Sequence, residues 1–351
     1  MTVSVDEWES ARFRHHPAPI NISQGFDRVK VLIIGKYRSI VNWPENLSHA
    51  LRHSGAEVSD FAMNGAQMLH SLRYKIAGKL TGNNDALMCD DLARQLKTFQ
   101  PDRVIFIVIA ALFMPPRMFE LVREICPDAH STAWVGDRLT PREFGFAGLV
   151  DHVAVTDTAF MDDLRAYGYQ TAASYLPLAV DTRRFHPMPV QRGNQVVYAA
   201  NNSPGRGALI AKIPRRLTLY GKGWSRLDKP TPHDIHARRL PYARLPEVYA
   251  GSLAVLNIRN EKNVINGLNQ RSFEPYGCQT PVLNDDMADL PHCFEPGTEI
   301  LVWRNLEELV EHYDRLQADP AFARRIGEAG YKRVLHEHTY AHRAHTLLAL
   351  S

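Results

Sequence analysis

The chain has little cysteine. Cys89, Cys126, Cys278 and Cys293 are the four in 351 residues, and they lack the paired spacing of a disulfide framework or a zinc finger. That usage fits a reducing compartment, so a cytoplasmic protein is expected. Long apolar runs are also missing. The longest, near Val104 to Phe113, is too short to span a bilayer. The start from Met1 to Trp8 is acidic and polar, without the apolar core of a secretory signal. No transmembrane segment is expected, which leaves peripheral membrane contact open. Neither sign of charge dominates: 41 Lys and Arg against 38 Asp and Glu leave a formal +3, with both signs interspersed. A nucleic-acid partner is therefore not expected. No repeat or low-complexity tract is visible, and neither G-x-G-x-x-G nor H-E-x-x-H occurs. His336 and His338 would point to different sides of a helix. His233 and His236 could share a face but have no evident third ligand. No metal and no cofactor are expected.

What is present is a soluble composition, 45% hydrophobic and 23% charged, at a length that suggests two domains. Buried strands and helices alternate along the chain. Residues 1–28 show little periodicity and read as an N-terminal arm. Val29 to Gly35 reads as a buried parallel strand, Pro44 to Ser54 as a helix stopped by Gly55, and Ala56 to Phe61 as a second strand. Helix Asp85 to Phe99, strand Arg103 to Ala110, helix Pro115 to Cys126 and strand Ser131 to Asp137 follow. Strand Asp151 to Thr156 and helix Thr158 to Tyr167 then come before a linker. Past the linker, Gln195 to Ala200 opens a second sheet. The helices Leu306 to Ala318 and Ala321 to His336 are amphipathic. The expectation is α/β with two doubly wound domains: 29–180, then 181–338, with 339–351 a last helix that crosses back onto the first domain.

The stretch from Asn266 to Asn284, N-G-L-N-Q-R-S-F-E-P-Y-G-C-Q-T-P-V-L-N, carries the most chemistry. It places a helical reading, Gln270 to Cys278, between the buried strand Leu253 to Ile258 and the apolar run Pro281 to Leu283. Ligands of an open α/β sheet bind beyond the carboxyl ends of its strands. Arg271 and Glu274, three residues apart, would share a helix face. An arginine at a helix start suits an anion, and a carboxylate one turn on suits a vicinal diol. Together they describe a seat for a sugar nucleotide. The plain alternative is a solvated ion pair worth a few tenths of a kcal/mol.

The segment R-S-F-E-P-Y-G-C-Q-T-P-V-L resembles the nucleotide-sugar motif of glycosyltransferases with the two-Rossmann GT-B architecture. It is most similar to the CgeB-like, or spore-maturation-protein, group. Further segments extend the likeness: Leu176 to Pro187, Leu217 to Trp224, His292 to Leu301, and in the closing helices Leu306 to Tyr313, Asp319-Pro320, Ile326-Gly327 and His338 to Arg343. The resemblance covers about residues 150 to 345 and is thin before that. It implies two Rossmann-like domains facing across a cleft, the first binding an acceptor and the second a nucleoside diphosphate sugar such as a UDP-sugar.

On that resemblance Glu274 holds the donor ribose. Arg271 and Arg206, the latter in the loop Asn201 to Gly207, meet the diphosphate. For Arg206 the alternative is a solvated loop charge, and Lys222 in the Gly221–Gly223 turn is the reserve. Tyr242 is a candidate stacking surface for the base. Asn266, Gly267 and Gly35 complete the donor-binding candidates, although a lone Gly35 without its motif supports dinucleotide binding poorly. Asp137 is a candidate for acceptor binding or general-base work, or else a loop cap. Absence of D-x-D fits metal independence, with the leaving diphosphate met by Arg206, Arg271 and a helix start near Gln270. Asn266 stands where the wider retaining group has a second Glu. Retention is slightly favoured, and inversion follows if Asp137 is the base. A hexosyltransferase of polysaccharide assembly acting on a hydroxyl acceptor is the expected activity. A sugar-nucleotide epimerase or hydrolase, and a non-catalytic sugar-nucleotide or glycan-binding subunit, remain the alternatives.

Overall fold

The computed structural model describes residues 28–38, 42–64, 72–74, 76, 78–79, 82, 84–110, 114–227 and 230–350. The arm expected over residues 1–28 lies outside them except for its last residue. The chain divides into two compact units, one ending at Pro177 and taking in the helix that begins at Tyr340, the other spanning Leu178–Thr339. No helix among the described residues is long and apolar enough to cross a membrane.

The first unit is built on strands β1 (Lys30–Gly35), β2 (Glu57–Ala62), β3 (Arg103–Val108), β4 (His130–Val135), β5 (His152–Val155) and β6 (Ala172–Tyr175). All pair in parallel, in the order β2-β1-β3-β4-β5-β6. The inner strands β1 and β3 are continuous apolar runs after their first residue, because both of their faces are covered. Helices α1 (Trp43–His53), α2 (Asp85–Phe99), α3 (Pro116–Ile125) and α4 (Thr158–Ala166) connect them. Helix α4 starts where it does because the Asp157 carboxylate accepts the Ala159 amide at 2.9 Å. Gly136 follows β4 because Trp43 from α1 packs there: a Cβ would lie 2.2 Å from the indole. Trp43 in turn meets Trp134 edge-on, with centroids 4.6 Å apart.

The second unit carries β7 (Val196–Ala199), β8 (Leu217–Tyr220), β9 (Asp234–His236), β10 (Ala254–Asn257), β11 (Val282–Asp285) and β12 (Leu301–Trp303). These are again all parallel, in the order β12-β11-β10-β7-β8-β9. This is the doubly wound arrangement whose order reverses between β7 and β10, and ligands of such sheets bind beyond the carboxyl ends at that reversal. Helices α5 (Pro204–Ile210), α6 (Leu245–Ala250), α7 (Glu274–Gly277), α8 (Leu306–Ala318) and α9 (Pro320–Glu337) complete the unit. Both long helices have side-chain caps: Asn305 accepts from the Glu308 amide and Asp319 from the Phe322 amide, each at 2.8 Å. Tyr198, Leu219, Trp224, Leu256, Leu283, Leu301 and Tyr313 belong to one buried core. The last helix, α10 (Tyr340–Ala349), packs on α1 in the first unit, where the Arg343 guanidinium donates to the Pro177 carbonyl at 2.6 Å.

The continuous helix expected from Gln270 to Cys278 is two pieces: a 3₁₀ turn, Gln270–Ser272, and the short α7. Pro275 is the physical cause, because it has no N–H to donate to the carbonyl four residues back. Helix α7 is seated by close backbone approaches. A Cβ at Gly277 would lie 2.6 Å from the Phe185 carbonyl oxygen. In α9, a Cβ at Gly330 would lie 2.2 Å from the Tyr276 ring, and one at Gly327 2.2 Å from the Gln279 carbonyl oxygen.

Candidate functional site

Strand β10 finishes in Asn257 and β11 has Asn284 one residue before its end, and the two asparagines are paired in register. Both are fully buried, and each needs partners that an apolar core cannot supply. They find them in one network. The Asn257 amide donates to Asn284 Oδ1 at 2.7 Å and to Ser272 Oγ at 2.9 Å, and Ser272 donates to Asn284 Oδ1 at 2.8 Å. The remaining oxygen, Asn257 Oδ1, accepts from the Asn269 amide at 3.0 Å and from Arg271 Nε at 3.1 Å. The strand end therefore fixes the arginine. Asn269 also caps the 3₁₀ turn by accepting the Arg271 amide at 3.0 Å.

Glu274 is 2% exposed. Tyr242 donates to its Oε1 at 2.7 Å, and Gln270 is a second side-chain partner. Burial pushes its carboxyl up to about 8, against the downward pull of Tyr242, Gln270 and the Arg271 charge; Asp181 adds to the rise. Arg271 and Glu274 form no ion pair, and a carboxyl this buried is not the solvated partner of one. Tyr242, read as a stacking surface for a base, has its ring 4.9 Å from the Arg184 guanidinium carbon and edge-on to Phe185. Its hydroxyl holds Glu274.

Arg206 lies in α5, beyond β7. Its terminal nitrogens donate to the Ile258 carbonyl at 2.9 Å and the Asn201 carbonyl at 3.5 Å. Burial pulls its guanidinium down from the usual arginine range. The Tyr198 ring brings the two arginines together: the guanidinium carbon of Arg206 lies 6.0 Å from its centroid, that of Arg271 5.8 Å. Burial raises the Tyr198 hydroxyl, and both arginines oppose the rise.

Lys222 is exposed; its backbone, not its side chain, is engaged, with the amide donating to Asn201 Oδ1 at 3.0 Å. Asn266 is half-buried, its carbonyl accepting the Asp289 amide at 3.0 Å, and Gly267 is buried. Gly35 belongs to the first unit. A Cβ there would lie 3.1 Å from Pro44 and 3.2 Å from Ile107, so this glycine serves packing beneath α1. Asp137, also in the first unit, accepts the Ala110 amide at 3.1 Å, the geometry of a loop cap. Of the histidines weighed as ligands, His233 Nε2 lies 2.9 Å from the Ile210 carbonyl and His338 Nε2 2.9 Å from that of Cys293, while His236 stacks on Tyr220 and His336 lies against Glu337. Among the described residues no group of three or more His, Cys, Asp or Glu is placed to hold a metal ion.

Sequence reasoning missed Tyr198 and Asn257. A signal existed for Asn257, a polar residue closing an apolar run, in L-A-V-L-N. Tyr198 looked like an ordinary core aromatic.

A family model described as glycosyl transferase-like matches residues 195–349. No curated protein sequence matches the chain. Solved structures are similar across nearly its whole length. Sucrose-phosphate synthase from Thermosynechococcus elongatus is 14% identical with a TM-score of 0.65, the match covering 91% of this chain and 97% of that one. HepE from Anabaena, in complex with UDP-glucose, is 12% identical with a TM-score of 0.62, covering 92% and 100%. A glycosyltransferase from Rickettsia africae is 12% identical with a TM-score of 0.64, covering 93% and 100%. The second unit thus carries the glycosyl transferase-like sequence pattern, on a chain whose two parallel six-stranded sheets have the GT-B fold.

Proposed function

We propose that the protein is a glycosyltransferase that moves a sugar from a nucleoside diphosphate sugar to a hydroxyl acceptor. The observation that carries this reading is Glu274, a buried carboxyl held by Tyr242 and Gln270, beside an arginine fixed to the end of β10. In its ionised form such a carboxyl accepts both hydroxyls of a ribose. Arg271 and Arg206, the two cations about Tyr198, meet the diphosphate and stabilise the charge that grows on it as the glycosidic bond breaks. Two guanidinium groups supply this stabilisation from the chain itself. The 3₁₀ turn at Gln270 is too short to add a helix dipole, so its part in the expectation is dropped.

The match to the glycosyl transferase-like model over residues 195–349, and the fold likeness to a protein that binds UDP-glucose, support the donor class. Retention of anomeric configuration is the stereochemistry we adopt, because the carboxylate considered as an inverting base, Asp137, accepts a backbone amide as a cap does. A thermal-shift screen against UDP, GDP, dTDP, ADP and CMP with their sugars, with and without EDTA, tests the donor reading. One nucleoside diphosphate raising the melting temperature, unchanged by EDTA, is the expected result. Saturation at a hundred times the dissociation constant adds about 2.7 kcal/mol. No shift from any nucleotide with the protein folded would overturn the reading.

A further inference from the structure

Helix α7, which carries Glu274, is held by one short turn of the chain, residues 181–185. The turn closes on its own backbone: the Arg184 and Phe185 amides donate to the Asp181 carbonyl at 3.0 and 2.8 Å. The buried Asp181 carboxylate pairs with Arg183, whose Nε and a terminal nitrogen donate to its two oxygens at 2.8 and 3.0 Å. Arg184 Nε stands farther from that carboxylate, at 4.0 Å. The turn touches α7 directly at its end, where the fully buried Phe185 fills the place of a side chain at Gly277. Its middle reaches Glu274 through Tyr242. The Arg184 guanidinium carbon lies 4.9 Å from the centroid of the Tyr242 ring, and Phe185 meets the same ring edge-on at 5.6 Å. The Tyr242 hydroxyl donates to Glu274 Oε1 at 2.7 Å.

Tyr242 needs this support. It opens a 3₁₀ turn of three residues, none of them buried, which gives its side chain no core to pack into. The ring is held by the edge of Phe185 and by the cation on Arg184. An uncharged side chain as long as arginine would keep the packing and lose the attraction.

We infer that Arg184 is a positioning residue of the donor site: it holds the Tyr242 ring so that the hydroxyl keeps Glu274 in the orientation that receives the ribose. Its role toward a ribose rests on the donor reading; its action on Glu274 through Tyr242 does not.

Tyr242 pulls the raised Glu274 carboxyl downward, so loss of its hydrogen bond moves ionisation of the carboxyl to higher pH. Gln270, Arg271 and Asp181 also act on this carboxyl. Tyr249 and Cys278 stand near it and stay protonated, because burial raises both, Cys278 to about 12.

The test compares wild type, Tyr242→Phe, Arg184→Met and the double variant, with Arg184→Lys as the conservative control. Arg184 is one-third exposed, so its replacement leaves the core intact. Calorimetric melting from pH 5 to 9 without nucleotide follows the stability lost as Glu274 ionises. That loss should level off at higher pH in Tyr242→Phe and in Arg184→Met, no further in the double variant, and at the wild-type pH in Arg184→Lys. Titration with the nucleoside diphosphate that the screen selects should find affinity about tenfold weaker in Tyr242→Phe and about fivefold weaker in Arg184→Met. The double variant should match Tyr242→Phe, and Arg184→Lys should stay within about twofold of wild type. Additive effects of the two substitutions would overturn the inference. So would an Arg184→Met protein whose melting temperature drops equally at every pH, or one with wild-type profile and affinity. Failure of the wild type to bind any nucleotide would defeat the donor reading instead, and the melting profiles alone would then decide whether Arg184 acts on Glu274.

Discussion

Replacing Glu274 by glutamine removes one proton-binding carboxyl from the interior while keeping its shape and an oxygen for Tyr242. The consequence for stability depends on pH, and its sign follows from linkage. The native carboxyl sits at about 8 against an ordinary 4.5, with burial the largest cause. Between those values the folded protein holds a proton that the unfolded chain has released, so the wild type loses stability as pH rises through the window. At about 1.4 kcal/mol per pH unit, the carboxyl costs the native state about 5 kcal/mol at the alkaline end. Below pH 4.5 both states are protonated and the cost vanishes. Glutamine carries no such cost. Glu274→Gln should therefore melt close to the wild type near pH 5 and well above it at pH 8, by about 10 °C at a few degrees per kcal/mol. Differential scanning calorimetry of the two proteins from pH 5 to 9 reads this directly. Asp285, raised to about 6 in both, cancels in the comparison. A difference in melting temperature that stays constant across that range would refute the assignment of Glu274 as a buried, proton-holding group.

Gly330→Ala should destabilise by at least about 1–3 kcal/mol through overpacking, because the new methyl would lie 2.2 Å from the Tyr276 ring; an unchanged urea midpoint would contradict the seating of α7 on α9. Asn257→Ala leaves Asn284, Ser272, Asn269 and Arg271 short of partners. It should cost about 1–3 kcal/mol and weaken binding of the screened nucleotide by freeing Arg271. Native stability and affinity in that variant would show that the network does not position the arginine. Anomeric assignment of the product by NMR should find the donor configuration retained, and an inverted product would return Asp137 to the role of base.

Strands with long apolar runs were legible in the sequence, because a parallel strand covered on both faces has no polar alternation to confuse. Helices α2 and α8 begin and end as their periodicity predicts, α8 behind a side-chain cap. The short strands were harder: β9 and β12 are three residues each, too few to show any period. The helix after β10 was overextended because the expected span, Gln270 to Cys278, runs through Pro275, which breaks it. Of the candidate site, Arg271 and Glu274 were legible because their elements are adjacent in sequence and carry a family-like pattern. The support of Tyr242 was not. Arg184 and Tyr242 meet only in the folded second unit, a long-range arrangement that no local spacing encodes. Tyr242 was located but given a different task, since nothing in Leu-Pro-Tyr announces a hydrogen bond to a carboxyl 32 residues away.

The central claim is that Glu274 is the anchor of a nucleotide-sugar donor, and titration of UDP-glucose, or of whichever donor the screen selects, into wild type and Glu274→Ala tests it most directly. Above about pH 8, where the raised Glu274 carboxyl is ionised, losing hydrogen bonds to it costs about 1.5–3 kcal/mol each. The account thus predicts an affinity at least a hundredfold weaker in a variant that still melts cooperatively. Equal affinity in the two proteins would contradict it.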